Sequence, residues 1–362
     1  MVTRHVNFNA GPSTLPLPAL ERAQAERLDY EGSGMSIIEH SHRGAVYEAV
    51  HNETIALLTE LLAIPDTHQV LFMQGGATAQ FALVPMNLRT DARAGDYVVT
   101  GTWAKKALSE ASIVGTPHKA WDGEQDGKWT RVPKADELDL TDDAPYVHIA
   151  SNNTIMGTQF FDYPKTKAPL VVDMSSDIMW RPVDVSQLGM IYAGAQKNMG
   201  PSGITLVIIR KDLLEQGRTD IPKIFRYAEV AKANSLQNTI ATFPVYMIRN
   251  TMLWLKEQGG LPAMEKHNRD KAAALYGAID GSDGFYRCPV EEASRSVMNV
   301  VFRLPSEEQE KKFVADATAA GLVGLKGHRS VGGIRASIYN AMTREGVDKL
   351  IQFMAAFKNG GA

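Results

Sequence analysis

Two apolar segments of this 362-residue chain end in groups able to do chemistry together. Leu170-Val171-Val172 runs into Asp173, and Ile191-Tyr192-Ala193-Gly194-Ala195-Gln196 runs into Lys197, 24 positions after that aspartate. Short, near-continuous apolar runs read as strands of a parallel sheet buried on both faces. Such a sheet delivers whatever follows its strands to one edge, so Asp173 and Lys197 are expected over the same rim. An amine can form a Schiff base with an aldehyde, and a nearby carboxylate can keep a ring nitrogen protonated so that the ring accepts electrons. Pyridoxal phosphate needs both groups, which makes Lys197 and Asp173 the candidate catalytic pair. An ion pair at about 4 Å and an effective dielectric near 20 is worth roughly 4 kcal/mol, enough to hold a pyridinium proton against water. Each residue also has a plainer reading. A lysine is usually a solvated charge, and an aspartate after a strand usually caps a turn, here Met174-Ser175-Ser176-Asp177. The tight loop Asn198-Met199-Gly200-Pro201-Ser202-Gly203 is unlike a solvated charged face.

The elements that must position this pair alternate. Val46, Val50, Ile55, Leu58, Leu61 and Leu62 mark a helix ending before Pro65, and Val70-Leu71-Phe72-Met73 is a strand closed by Gly75-Gly76. Tyr97-Val98-Val99-Thr100 is a strand followed by Gly101-Thr102-Trp103 and a helix, and Tyr146-Val147-His148-Ile149-Ala150 leads into Ser151-Asn152-Asn153-Thr154. The pattern predicts an α/β fold with a mostly parallel sheet flanked by helices. Gly76, Ala77 and Thr78 join a strand to a helix, where backbone N–H groups can hold a phosphate, although a glycine pair there is often only a turn. Trp103 is placed to stack on a flat ring, with ordinary core packing as its plainer reading. Val245, Ile248, Met252 and Leu255 mark a helix expected to stop at Gly259-Gly260, with Pro262 beyond. These signals divide the chain into a large α/β unit over 16–258 and a smaller α+β unit from 1–15 plus 259–362. The smaller unit takes its strands from Val297–Phe302 and Gly333–Ile338. The segment Asn7–Pro12 is expected to pack near the rim or on the smaller unit.

Lys and Arg number 38 against 41 Asp and Glu, a formal charge of −3, which gives no general electrostatic case for nucleic acid or an anionic membrane. Small-molecule partners are expected. The single cysteine, Cys288, cannot form an intrachain disulfide, and Met1-Val2-Thr3-Arg4-His5 lacks the apolar stretch of a signal peptide. The longest clean apolar run, Ile204–Ile209, is far short of the roughly 18 residues of a spanning helix, so a cytoplasmic protein is expected. His42, Arg43, His328, Arg329 and Arg335 are surface charges by default, yet an anionic substrate would need them. Arg335, on a strand, is the best carboxylate clamp. The histidines are too scattered for a metal site, and none is expected.

With these residues assembled, the chain resembles the phosphoserine aminotransferase family, class V enzymes of fold type I that use pyridoxal phosphate, over essentially its whole length. The resemblance is carried by Asn7-Phe8-Asn9-Ala10-Gly11-Pro12, Ser41-His42-Arg43-Gly44, Gly75-Gly76-Ala77, Thr102-Trp103 and Ser151-Asn152-Asn153-Thr154. Further along it is carried by Asp173-Met174-Ser175-Ser176, Ala195-Gln196-Lys197-Asn198, Asn238-Thr239 and Gly327-His328-Arg329-Ser330-Val331-Gly332-Gly333-Ile334-Arg335. It implies that Lys197 carries the cofactor, Asp173 contacts its ring nitrogen, Trp103 stacks on the ring, and Thr154 and Gln196 hydrogen-bond it. Gly76, Ala77 and Thr78 would cradle the phosphate, helped by Asn238 and Thr239 of a second subunit in a homodimer with shared sites. His42, Arg43, His328 and Arg329 would serve the distal phosphate or carboxylate of a substrate, and Arg335 its α-carboxylate. The implied substrates are L-glutamate, 3-phosphooxypyruvate and O-phospho-L-serine, with the related phospho-hydroxythreonine reaction of pyridoxine synthesis as a second activity. Where some members carry an arginine in the phosphate loop, this chain has Thr78, which removes one substrate contact. Rival readings are an alanine- or serine-glyoxylate type aminotransferase, a cysteine desulfurase relying on Cys288, and a noncatalytic phosphate-ligand binder.

Overall fold

Seven strands form the central sheet of the computed structural model, which describes residues 4–360. Across the sheet they run His68–Met73, Thr205–Arg210, Met190–Gly194, Leu170–Asp173, Val147–Ala150, Arg93–Val99 and Thr116–Asp122. Thr205–Arg210 is antiparallel to both of its neighbours, and the remaining pairings are parallel. The sheet is therefore mostly parallel, as the apolar runs predict.

Alternation along the strands fills two cores. Leu206 and Ile208 point to the face shared with Phe72, Val172 and Ile191, where the helices Ala45–Leu62 and Thr242–Glu257 lay down Leu58, Leu62, Val245, Ile248 and Met252. Val207 and Ile209 point to the opposite face with Leu71, Val171 and Tyr192, covered by Phe81 and Val84 of helix Gly76–Leu88 and by Ala107 and Ala111 of helix Thr102–Val114. Two helices on each face leave little of the sheet to water, which is why its strands carry apolar side chains both ways.

Gly259 and Gly260 act differently from the sequence expectation. Helix Thr242–Glu257 does end before them, but Gly259, at φ +94°, turns the chain directly into a second helix, Gly260–Asp280. Pro262 lies in the first turn of that second helix, where a missing N–H loses no helical hydrogen bond. Leu261 and Met264 of this helix pack in the large core, whereas Leu275 and Ile279 enter a third cluster with Val300, Phe302, Phe313, Ile334 and Leu350. There, Asn299–Phe302 pairs antiparallel with Ile334–Ser337, and Val6–Asn7 pairs in parallel with Leu322–Val323. The N-terminal segment is thus tied to the C-terminal part of the chain.

Leu206 is fully buried in the strand of the central sheet that runs antiparallel to both neighbours. Leu206→Ala should cost about 2–5 kcal/mol, lowering the urea midpoint without changing the slope; a shift near zero would contradict this packing.

Candidate active site

The carboxyl ends of five strands open onto a cavity of about 320 Å³. Gly76, Ala77 and Thr78 follow His68–Met73, Trp103 follows Arg93–Val99, and Asn152 and Thr154 follow Val147–Ala150. Asp173 ends its own strand, and Gln196 and Lys197 follow Met190–Gly194. His328 and Arg335 enter from the C-terminal part, and Ala10 and Gly11 from the N-terminal segment. Ten of the residues singled out from sequence therefore meet in one place: Gly76, Ala77, Thr78, Trp103, Thr154, Asp173, Gln196, Lys197, His328 and Arg335.

Local hydrogen bonds hold the lysine. Its Nζ donates to Thr154 Oγ1 at 2.7 Å. Ser13 Oγ donates to the Lys197 carbonyl at 2.5 Å, and Ser13 N to the Gln196 carbonyl at 3.0 Å, so the N-terminal segment straps the loop down. Gly11 lies so close that a Cβ there would come within 3.3 Å of Lys197 Cγ, and its φ of +147° also suits glycine. Asn198 donates to the Ile178 carbonyl at 2.9 Å and accepts from Asn340 N at 3.0 Å. Gly101 permits a second close approach: a Cβ there would be 2.2 Å from Asn153 Nδ2, which donates to the Thr100 carbonyl at 2.8 Å.

The two candidate catalytic groups sit in a dry environment. Burial pushes the Lys197 amine down to about 8, with Asp173 opposing the shift and Arg335 adding to it. Burial raises Asp173, while Ser175, Lys197 and the Tyr192 hydroxyl favour its charged form; Ser175 N donates to Oδ1 at 2.9 Å. A buried carboxylate facing a cavity is suited to a cationic N–H. The phosphate end fits as well: Gly76, at φ +67°, has open space where a Cβ would be, and it begins helix Gly76–Leu88. Trp103 Nε1 is buried without a partner, and Lys106 Nζ lies 4.7 Å from its ring centre. These residues fit pyridoxal phosphate: Gly76–Thr78 would hold its phosphate, Trp103 would lie beside its ring, Asp173 would meet its nitrogen and Lys197 its aldehyde.

Arg335 reaches the cavity half-buried; its Nη1 donates to the Thr154 carbonyl at 3.3 Å and its Nε is unpartnered. Among the described residues no carboxylate pairs with it. His328 is oriented by Ser330, whose Oγ lies 2.8 Å from Nδ1, and burial with Arg335, Arg329 and Lys106 pushes its imidazole down.

Five candidates stand outside this cavity. Arg329 is exposed in a neighbouring groove of about 660 Å³, and His42 and Arg43 contact each other in a surface loop, Arg43 Nε to His42 Nε2 at 3.2 Å. Asn238 and Thr239 are exposed and tied to Gln74: Asn238 Nδ2 donates to Gln74 Oε1 at 2.9 Å, and Gln74 Nε2 to the Thr239 carbonyl at 3.4 Å. Cys288 does not line the cavity, and burial raises its thiol, the wrong direction for a nucleophile. Among the described residues no group of three or more His, Cys, Asp or Glu could hold a metal ion.

Sequence reasoning did not assign Phe81, Asn152, Ser175 and Ser176 to the cavity wall. It also missed two polar rings inside the sheet. Tyr192 is the register partner of Asp173, and its hydroxyl lies 2.8 Å from His148 Nε2. Burial pushes that imidazole down to about 3, so it is neutral, and it stacks on Tyr97 at 4.9 Å. The available signal was one polar aromatic in each of two otherwise apolar strands.

The fold, with Lys197 and Asp173 in one cavity, defines a chain built for cofactor-dependent amino-group chemistry. It belongs to the aminotransferase class-V family, whose family model matches residues 5–350. The phosphoserine aminotransferase of Niallia circulans is 53% identical over 359 residues, covering 99% of each chain. A solved phosphoserine aminotransferase from Bacillus circulans subsp. alkalophilus superposes with a TM-score of 0.97 at 52% identity, covering 99% of each chain. A phosphoserine aminotransferase from Trichomonas vaginalis, solved with bound pyridoxal phosphate, gives a TM-score of 0.92 at 39% identity, covering 97% of this chain and 100% of that one. The chain is a pyridoxal phosphate-dependent aminotransferase. No helix among the described residues is long and apolar enough to cross a membrane.

Because burial lowers the Lys197 amine, its modification by an amine-selective reagent in cofactor-free protein should rise with a midpoint near pH 8. Peptide mapping of the label against pH checks this; a midpoint above pH 10 would mean a solvated amine.

Proposed function

We infer that this chain transfers the amino group of L-glutamate to 3-phosphooxypyruvate, giving 2-oxoglutarate and O-phospho-L-serine, a step that makes a serine precursor. The observation that carries the reading is Arg335: a half-buried guanidinium without a protein carboxylate, in the same cavity as a neutralisable Lys197. A guanidinium fork matches a substrate α-carboxylate in two parallel hydrogen bonds. Two further cations beside it, Lys106 and Arg329, with the His328 imidazole in the cavity as a hydrogen-bonding group, favour a substrate with a second anionic group, such as a phosphate.

Bound pyridoxal phosphate supplies an aldehyde that captures the amino group and a ring that takes up the electrons of the breaking Cα–H bond. With the group bound, Asp173 would keep the ring nitrogen protonated and Trp103 would cover the ring. Lys197 Nζ, as a neutral amine, would take the substrate's Cα proton and then give it up again as general acid. Its lowered basicity leaves a sizeable neutral fraction near pH 7 to 8, as a general base requires. Thr154 orients the amine, and Gln196 contributes to the same wall. The keto acid takes the same path in reverse.

We further propose that the working unit is a homodimer. Ile224, Phe225 and Phe243 are exposed apolar side chains, and Asn238 and Thr239 lie outside their own chain's cavity, where they would meet a neighbour's phosphate. His42 and Arg43 would reach the distal group of the substrate from such a neighbour. In this reading 16–258 is the cofactor-binding unit and 1–15 plus 259–362 the smaller one, in a cytoplasmic enzyme. The phospho-hydroxythreonine reaction is a second activity of the same site.

Adding O-phospho-L-serine to the yellow, cofactor-loaded protein should abolish its visible absorption band, and 2-oxoglutarate should restore it. A band that responds only to other amino acids would overturn the substrate assignment. Initial-rate lines should be parallel, since one product leaves before the second substrate binds. Arg335→Lys should lower kcat/KM by about 10- to 100-fold, the loss of one charge-assisted hydrogen bond.

A further inference from the structure

A buried polar seam joins the wall of the cavity to the strand that carries Arg335. Asn152 Nδ2 donates to Ser176 Oγ at 2.8 Å and to Asn299 Oδ1 at 2.7 Å, and its Oδ1 accepts from Ser296 Oγ at 2.5 Å. Asn299 Nδ2 donates onward to Ser337 Oγ at 3.0 Å and to the Tyr339 hydroxyl at 3.2 Å. The Tyr339 hydroxyl donates to the Ala10 carbonyl at 2.7 Å, beside the Gly11 that packs on Lys197. All six of these side chains are buried, and none has a buried nitrogen or oxygen without a partner.

The seam's position matters for the site. Asn299 and Ser337 face each other across two antiparallel strands, and Arg335 stands two residues before Ser337, on the same face of its strand. Asn152 and Ser176 belong to the opposite wall, past the strands that end at Ala150 and Asp173. An apolar seam could slide, because hydrophobic contact has no direction. A dry seam in which every polar side-chain atom has a partner admits one register, since any shift strands buried polar groups.

We propose that Asn299 is a positioning residue. With Asn152, Ser337 and Tyr339 it holds the strand Ile334–Ser337 and the Ala10–Gly11 rim at a set distance from Lys197, so the carboxylate clamp is preformed before substrate arrives. The proposal deepens the reading of Arg335 as the clamp and rests on it. Binding geometry held in advance avoids an ordering cost when the substrate binds.

The test uses cofactor-loaded enzyme carrying Asn299→Leu, which removes the central amide at similar volume, or Tyr339→Phe, which removes only the hydroxyl that reaches Ala10. Asn299→Leu should raise KM for O-phospho-L-serine by about tenfold while kcat stays within about threefold, and Tyr339→Phe should shift KM the same way by less. Hydrogen exchange measured without substrate should quicken at 334–337 and 10–13 in both variants and stay unchanged at 170–173 and 190–194. Unchanged KM with unchanged exchange overturns the proposal, as does a fall in kcat at constant KM. If Asn299→Leu does not fold, Tyr339→Phe decides on the same two readouts. Wild-type enzyme inert toward O-phospho-L-serine would overturn the substrate assignment instead, and the exchange pattern alone would then judge the seam.

Discussion

The desolvation of a carboxylate and an amine at one edge of a sheet is the constraint on which the rest of the structure depends. Neither group would choose its charged form in so dry a place: burial raises Asp173 and lowers Lys197. Each is held in a usable state by neighbours. Ser175 and Tyr192 favour the carboxylate, and Thr154 receives the amine. Such support is available only where several strand ends converge, because no single loop could supply it.

The parallel sheet provides that convergence cheaply. Its strands need apolar side chains on both faces, and the helices Ala45–Leu62 and Gly76–Leu88 supply the covering layers. Polar residues then gather at the strand ends; inside the sheet His148 Nε2 pairs with the Tyr192 hydroxyl, while His148 Nδ1 is left without a partner. In the seam around Asn299, dry polar groups are tolerated because all are matched. In both places burial converts modest hydrogen bonds into positional constraints.

Chemistry and stability pull against each other at this rim. Gly101 permits a close approach that any side chain would block and Gly11 one that a Cβ would crowd, and glycine costs conformational entropy on folding. An unpaired Arg335 and an unpartnered Trp103 Nε1 are further local costs, offset by the apolar cores on either side of the sheet. A site built to receive an anion and a flat ring keeps such groups free of protein partners.

Much of this was legible in the chain itself. Runs such as Leu170–Val172 and Ile204–Ile209 could be little else than buried strands, and an acid and a lysine after two of them named the cofactor chemistry. The resemblance then extended that reading to Trp103, Thr154 and Gln196, which the fold brings into the same cavity. Other features were hidden. Gly259-Gly260 and Pro262 carry the same local signals whether a helix ends or a second one begins, and packing against both cores selected the latter. Ser176, Asn152 and Asn299 are ordinary polar residues in sequence, and their pairing depends on contacts between segments up to 147 positions apart. Local pattern determined the elements and the reactive pair, because periodicity and strand ends are properties of neighbouring residues. Which polar groups would face one another, and so how Arg335 is set against Lys197, only the tertiary structure decided, because burial and partnership arise when distant segments pack.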